Sequence, residues 1–224
     1  MSAKILFVTG TDTEVGKTVV SGVLCVEALR EGQTVRYCKP LQTGVTDDGQ
    51  GADALAVTSF VKRFAAEAPV APPLPVGEIE PTPSAFTAHE LVRYPDPLAP
   101  AIAAAQIGRP IMRSRLIRQI RALAETCETL IVEGAGGLLV PISANDTMAD
   151  LAADLEAPLV IVARPTLGTI NHTMLTVNAA KERGLQLDRI VLTPWPEHPG
   201  SLEMTNLRWL RTATQLRVVT LPRV

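Results

Sequence analysis

Short apolar runs recur along the chain, and the intervals between them carry helical periodicity. Residues 5–9 (ILFVT), 34–39 (TVRYCK), 129–134 (TLIVEG), 158–163 (PLVIVA), 189–193 (RIVLT) and 217–221 (RVVTL) predict strands. They are apolar nearly throughout rather than alternating, as parallel strands covered on both faces are. Helices are predicted over 17–31, 52–66, 111–126, 146–155, 168–184 and 201–213, and Gly32 and Gly184 follow helix ends, where a left-handed cap is favoured. Strand–helix alternation of this kind implies βαβ units with right-handed crossovers. The expected fold is α/β: a doubly wound, mainly parallel sheet with helices on both faces, forming one domain over 1–224. No internal repeat is apparent.

One region breaks the rhythm. Half of the chain's 18 prolines lie from Pro69 to Pro100. That much proline removes backbone donors and stops regular helix. Residues 67–87 are therefore expected to form a proline-rich surface loop and 94–100 a tighter turn, with His89 and His198 in proline-rich loops that offer them no partner.

Composition narrows the function. The 21 basic and 23 acidic residues nearly cancel, so no basic field exists to hold a nucleic acid. No apolar run approaches the roughly 20 residues that span a bilayer, and the N-terminus lacks a signal-peptide layout. The three cysteines are scattered without C-x-x-C spacing and are expected to be small core residues in a reducing compartment. A cytoplasmic protein with neither nucleic-acid nor membrane partners is expected.

The first strand runs into G-T-D-T-E-V-G-K-T, residues 10–18. A glycine turn between strand and helix aims several backbone N–H groups at one spot, and the helix dipole adds positive potential. Lys17 supplies charge for phosphates and the Thr18 hydroxyl suits Mg²⁺. The usual phosphate-loop pattern has four residues between its glycines, whereas five separate Gly10 from Gly16 here. Switch ATPases of the MinD/ParA type carry a second lysine five positions before the first, where this chain has Asp12. An acidic Glu14 would repel a triphosphate unless it faced a cationic ligand such as an amine, the first hint of two ligands at one loop.

Three further segments point to the same crevice. Lys39 stands at the carboxyl edge of the second strand, where α/β ligands bind, with Pro40 expected to stop that strand and Thr43 in the turn after it. Asp53 begins a helix, a position the helix dipole alone would favour. The run LIVEGAGG (130–137) delivers Glu133 at the end of a buried strand, and Gly134, Ala135 and Gly136 let backbone approach a ligand. With Thr18, these two carboxylates make an oxygen donor set for Mg²⁺. Gly168, Thr169, Ile170 and Asn171 open a helix whose free N–H groups could take a carboxylate or simply be a capped start. His172 reads as a packing residue.

Taken in order, G-T-D-T-E-V-G-K-T (10–18), K-P-x-x-T-G (39–44), G-x-D-A-L around Asp53, V-E-G-A-G-G (132–137), L-G-x-I-N-H (167–172) and W-P-x-x-P-G (195–200) resemble the dethiobiotin synthetase family from end to end. The resemblance implies ATP-dependent closure of a cyclic urea on 7,8-diaminopelargonate with CO₂. It implies that Thr13, Glu14, Val15, Gly16, Lys17 and Thr18 hold the phosphates, with Lys17 on the transferring phosphoryl group. Thr18, Asp53 and Glu133 would bind Mg²⁺. Lys39 would be the catalytic lysine, Glu14 would face the diamine, Thr43 would contact substrate, and 168–171 of a second subunit would receive its carboxylate at a homodimer interface. Where many members carry Asn-Asp to read adenine, this chain has Thr193-Pro194. Pro222, Arg223 and Val224 match the start of the adenine-side segment, which usually continues further. A base pocket open on that side, accepting other nucleoside triphosphates besides ATP, is therefore expected. The segment 67–87 is longer than the family leads one to expect. Two other readings stand beside it, an amide-forming P-loop synthetase acting on another substrate and a non-enzymatic nucleotide switch; Asp12 counts against the second.

Overall fold

The computed structural model describes residues 3–45, 51–65 and 84–223. Seven strands form one sheet: β1 (Lys4–Gly10), β2 (Val35–Thr43), β3 (Phe86–Tyr94), β4 (Thr129–Gly137), β5 (Leu159–Ala163), β6 (Leu187–Trp195) and β7 (Arg217–Pro222). Their spatial order is β3-β2-β4-β1-β5-β6-β7 and every pairing is parallel. Helices α1 (Lys17–Arg30) and α2 (Ala52–Phe64) cover one face. There Leu24, Cys25, Val57 and Val61 close on Val8, Tyr37, Ile131 and Val160. The opposite face carries α3 (Pro100–Gln106), α4 (Arg113–Ala124), α5 (Met148–Asp154), α6 (Thr169–Glu182) and α7 (Ser201–Thr214). Their side chains, Leu116, Ile120, Leu151, Val177 and Leu210 among them, bury Phe7, Leu130, Val132, Ile161 and Ile190. Two apolar layers explain why the strands read as continuous apolar runs.

The chain leaves β1 first toward β2 and later returns toward β5, so the order of winding reverses at β1. In such sheets ligands sit outside the carboxyl ends of the strands at this reversal. The register sharpens the point. The last β2–β4 pair is Cys38↔Val132, so Lys39 and Glu133 leave adjacent strands at the same level.

Three expectations need correction. Pro40 does not stop β2, which continues to Thr43. Pairing with β4 ends at Cys38 while pairing with β3 runs on to Thr43↔Tyr94, so the strand has become one-sided where proline's missing N–H falls. The strand β3 lies where a loop end and an unassigned stretch were expected, and it takes in Phe86 and Thr87. His89 belongs to it: the ring is buried and its Nε2 lies 2.8 Å from Thr87 Oγ1. Third, the turn expected over 94–100 is shorter than predicted, because Pro100 takes the first position of α3, where its fixed φ and missing donor suit a helix start. The remainder of the proline-rich segment, 67–83, lies outside the described residues.

Candidate active site

The phosphate loop is built by two backbone turns. Glu14 (φ 53°) and Gly16 (φ 96°) both take left-handed conformations, and Gly16 then caps α1 with no side chain occupying the helix start. The free N–H groups of the first turn therefore face outward. Space as well as φ demands glycine at 16, because a Cβ there would lie 2.9 Å from Thr193 Cγ2. Lys17 folds back over the loop and donates to the Asp12 carbonyl at 3.1 Å. Burial, reinforced by Lys39, holds its ammonium below the ordinary lysine range. Asp12 takes the other direction. Its carboxylate accepts from Thr13 N–H at 2.7 Å and lies 3.7 Å from the Arg164 guanidinium, which also donates to Thr13 O at 2.8 Å. An acidic residue at this place thus ties the loop to the end of β5.

Beneath the loop lies a buried charge cluster. Glu133 is 1% exposed and each of its oxygens is used twice. Oε1 accepts from Thr18 Oγ1 at 3.0 Å and Lys39 Nζ at 2.8 Å, and Oε2 from Ser21 Oγ at 2.9 Å and Tyr37 OH at 3.0 Å. Lys39 Nζ also lies 2.8 Å from Asp53 Oδ2, and Thr18 Oγ1 lies 3.1 Å from Asp53 Oδ1. Burial alone would lower the Lys39 pKa, but Glu133 and then Asp53 outweigh it and raise it. For Asp53 burial opposes ionisation, and Lys39 followed by Thr18 overrides it, keeping the carboxyl below its usual range. Burial, helped by Glu133, pushes the Tyr37 phenol well above its ordinary value, so it serves as a neutral donor.

These groups open on a cleft of about 740 Å³. Thr13, Glu14, Gly16, Lys17 and Thr18 line it from the loop side; Lys39, Thr43 and Asp53 line it from β2 and α2; Glu133, Ala135 and Gly136 line it from β4. Val15 instead points into the core, and Gly134 enters through its carbonyl, 3.3 Å from Lys39 Nζ. Thr193 lies buried under Gly16, while Pro194, Pro222 and Arg223 sit exposed at the ends of β6 and β7, away from the cleft lining. Val224 is outside the described residues. The helix start at 168–171 also lies apart. Thr169 borders a small recess with Thr11, Asp12 and Arg164, and His172 links it to a second cleft of about 430 Å³ rimmed by Leu139 and Leu175.

Sequence reasoning missed Ser21 and Tyr37. Both had a signal: Ser21 follows Thr18 by three residues on one helix face, and a tyrosine inside a buried strand needs a partner for its hydroxyl. Pro97, Leu98, Ala99 and Pro100, which roof the cleft, had none.

A hard cation fits this donor set. Two carboxylates and a hydroxyl converge, all oxygen, and the Lys39 ammonium already stands between the carboxylates as a cation would. Among the described residues no three His, Cys, Asp or Glu side chains form a metal cage. Mg²⁺ does not need one, since it commonly takes one or two carboxylates together with substrate phosphates.

The whole chain is similar to known proteins. An AAA domain family model matches residues 4–75 and 79–222. The ATP-dependent dethiobiotin synthetase BioD of Rhodococcus jostii (strain RHA1) is 42% identical over 218 residues, covering 96% of this chain and 84% of that protein. Its counterpart from Mycobacterium avium (strain 104) is 42% identical over 217 residues, covering 96% and 85%. Among solved structures, a ParA family ATPase from Chlorobium tepidum TLS superposes with a TM-score of 0.58 at 14% identity, covering 100% of this chain and 86% of that one. That likeness concerns the fold alone.

Proposed function

The chain belongs to the ATP-dependent dethiobiotin synthetase family, and from that premise we propose that it closes a cyclic urea on 7,8-diaminopelargonate, using CO₂ and ATP and giving dethiobiotin, ADP and phosphate in biotin biosynthesis. One amine adds to CO₂ and loses a proton to give a carbamate. A carbamate oxygen attacks the γ-phosphorus and ADP leaves. The second amine then attacks the carbamoyl carbon and phosphate departs. The observation that carries this reading is the convergence of two lysines and two carboxylates on one cleft at the mouth of a phosphate loop.

The chain's own residues have distinct tasks. The loop N–H groups and Lys17 take the phosphates, and Lys17 offsets charge gathering on the transferring group. Lys39 binds both the carbamate oxygens and the γ-phosphate, trapping an anion that otherwise reverts to amine and CO₂. Its release from Asp53 and Glu133 frees the ammonium for that role. Thr18, Asp53 and Glu133 are the groups that would hold Mg²⁺, whose charge when bound offsets that of the phosphate oxygens. Glu14, exposed on the lip of the cleft, favours the positive charge that develops on an amine as it adds to CO₂, and Thr43 contacts the substrate chain.

The distance of residues 168–171 from the cleft favours their use by a second copy. Leu139, Leu167 and Leu175, exposed at 51%, 86% and 61%, flank that helix start, and apolar exposure on this scale suits an interface. We read 1–224 as one synthetase domain acting as a homodimer with its active site at the interface, in the cytoplasm. No described helix is long and apolar enough to cross a membrane. A nucleotide switch is not favoured, since Asp12, held by Arg164, stands where such loops carry their second lysine.

The test is phosphate release from MgATP with 7,8-diaminopelargonate and bicarbonate, leaving out each component in turn. Release that requires both the diamine and bicarbonate is expected. Release indifferent to the diamine would overturn the reading.

A further inference from the structure

Glu90 stands on β3 in register with Lys39 of β2, yet it does not line the cleft. It is 3% exposed. Its Oε2 accepts from the Gly51 N–H at 3.1 Å and from Arg93 Nε at 2.6 Å, while its Oε1 has no hydrogen-bond partner among the described residues. Gly51 is the N-cap of α2, and no side chain of the helix caps it. The first turn of that helix carries Asp53, which reaches Lys39 and Thr18.

The fit between Glu90 and Gly51 is close. A Cβ at position 51 would fall 2.0 Å from Glu90 Oε1 and 2.4 Å from its Cδ, so any side chain there displaces the carboxylate. A buried carboxylate that uses only one oxygen is unfavourable in itself. Here it supplies an anion at a helix N-terminus, where the dipole favours one, and grips the backbone just ahead of a charged site. Arg93 offsets its charge without reaching the cleft lining.

We propose that Glu90 is a positioning residue for the metal-binding carboxylate: by holding the Gly51 N–H it fixes where α2 starts and so where Asp53 points. This rests on the reading that Asp53 helps to hold Mg²⁺. A carboxylate ligand on the first turn of a helix can be no better placed than that turn, and outer contacts that orient ligands commonly matter about 10- to 100-fold in metal affinity.

The experiment titrates Mn²⁺ into the full-length protein in saturating ADP and follows bound metal by its EPR signal, with thermal melts alongside. Asp53→Asn serves as the benchmark and should weaken Mn²⁺ binding strongly; if it does not, the metal-site reading itself fails. Given that benchmark, Glu90→Ala and Gly51→Ala should each weaken Mn²⁺ by about 10-fold, and Glu90→Gln, which keeps an acceptor for Gly51, should stay within about 3-fold. Altered melting with unaltered Mn²⁺ affinity in Glu90→Ala and Gly51→Ala would make Glu90 a structural residue only and overturn the proposal. Should Glu90→Ala fail to fold, Gly51→Ala decides alone.

Discussion

The two halves of the sheet around β1 handle polar groups in opposite ways. On the β4–β2–β3 side, Glu133 is held by four donors, Lys39 spans two carboxylates, and Asp53 is fixed by Lys39 and Thr18. On the β5–β6–β7 side, the ends of β6 and β7 carry Pro194 and Pro222, which have no N–H, and both are exposed. Thr193 is buried there, and its methyl lies under Gly16. On the proposed function, the difference follows from the chemistry each half would serve. Transferring a phosphoryl group to a carbamate needs charges at fixed places in a water-poor site, so each charge must itself be held. Holding a base needs a few donors and acceptors, and on the proposed reading Thr193 and Pro194 offer few. The first half should tolerate almost no change and the second should tolerate much.

The strongest test of that contrast is Lys39→Ala. Phosphate release should fall by about 10³-fold or more, since on the proposed mechanism the site loses its main cation for carbamate and phosphate. Stability should fall too, because the substitution leaves the buried Glu133 and the partly buried Asp53 facing each other without their shared cation. Breaking such a pair costs about 3 kcal/mol or more, which in a domain of this size lowers Tm by roughly 6–12 °C. Mg²⁺ should restore most of that Tm, because it takes the place of the missing ammonium, but none of the activity. Activity within about 10-fold of wild type would show that the first half is far less constrained than its geometry implies.

Such constraints were only partly visible in the amino-acid pattern. Six of the seven strands announced themselves because burial on both faces makes them apolar runs. The seventh, β3, did not, because Thr87, His89, Glu90 and Arg93 interrupt it. Thr87 pairs with His89 within the strand, and Glu90 accepts from Arg93 and Gly51, contacts that no periodicity reveals. Lys17, Lys39, Asp53 and Glu133 could be singled out because each was expected where a strand ends or a helix begins, although β2 and β4 run on past Lys39 and Glu133 to Thr43 and Gly137. That Lys39 would lie 2.8 Å from both carboxylates depended on the Cys38↔Val132 register, a long-range fact. Glu90 was unreadable for the same reason: its importance lies in a contact across 39 positions of chain.

A smaller effect links the two halves. Gly16→Ala combines a left-handed φ with a 2.9 Å contact against Thr193 Cγ2. Strain of this kind costs about 1–3 kcal/mol, so kcat/KM for ATP should fall by roughly 10- to 100-fold. Adding Thr193→Ser removes the offending methyl but leaves the φ strain, and should recover part of the loss. A double-mutant cycle should therefore give a coupling of about 0.5 kcal/mol or more. If the double variant is no better than Gly16→Ala, Thr193 does not support the loop, and the two halves are independent.

The smallest effect expected is on the choice of nucleotide. An asparagine amide at position 193 could present a matched donor and acceptor to a base edge, whereas Thr193 has one hydroxyl and Pro194 only a carbonyl. With Thr193 buried under the loop and Pro194 exposed, discrimination between bases has little to act through. Replacing ATP by CTP or GTP in the phosphate-release assay should therefore leave measurable turnover within about 100-fold of the ATP rate, a difference of no more than roughly 2.7 kcal/mol. On the proposed reading, phosphate contacts, common to all three nucleotides, supply the shared part of the binding. A larger preference for ATP would mean that groups beyond Thr193 and Pro194 read the base, and that the second half of the sheet is as exacting as the first.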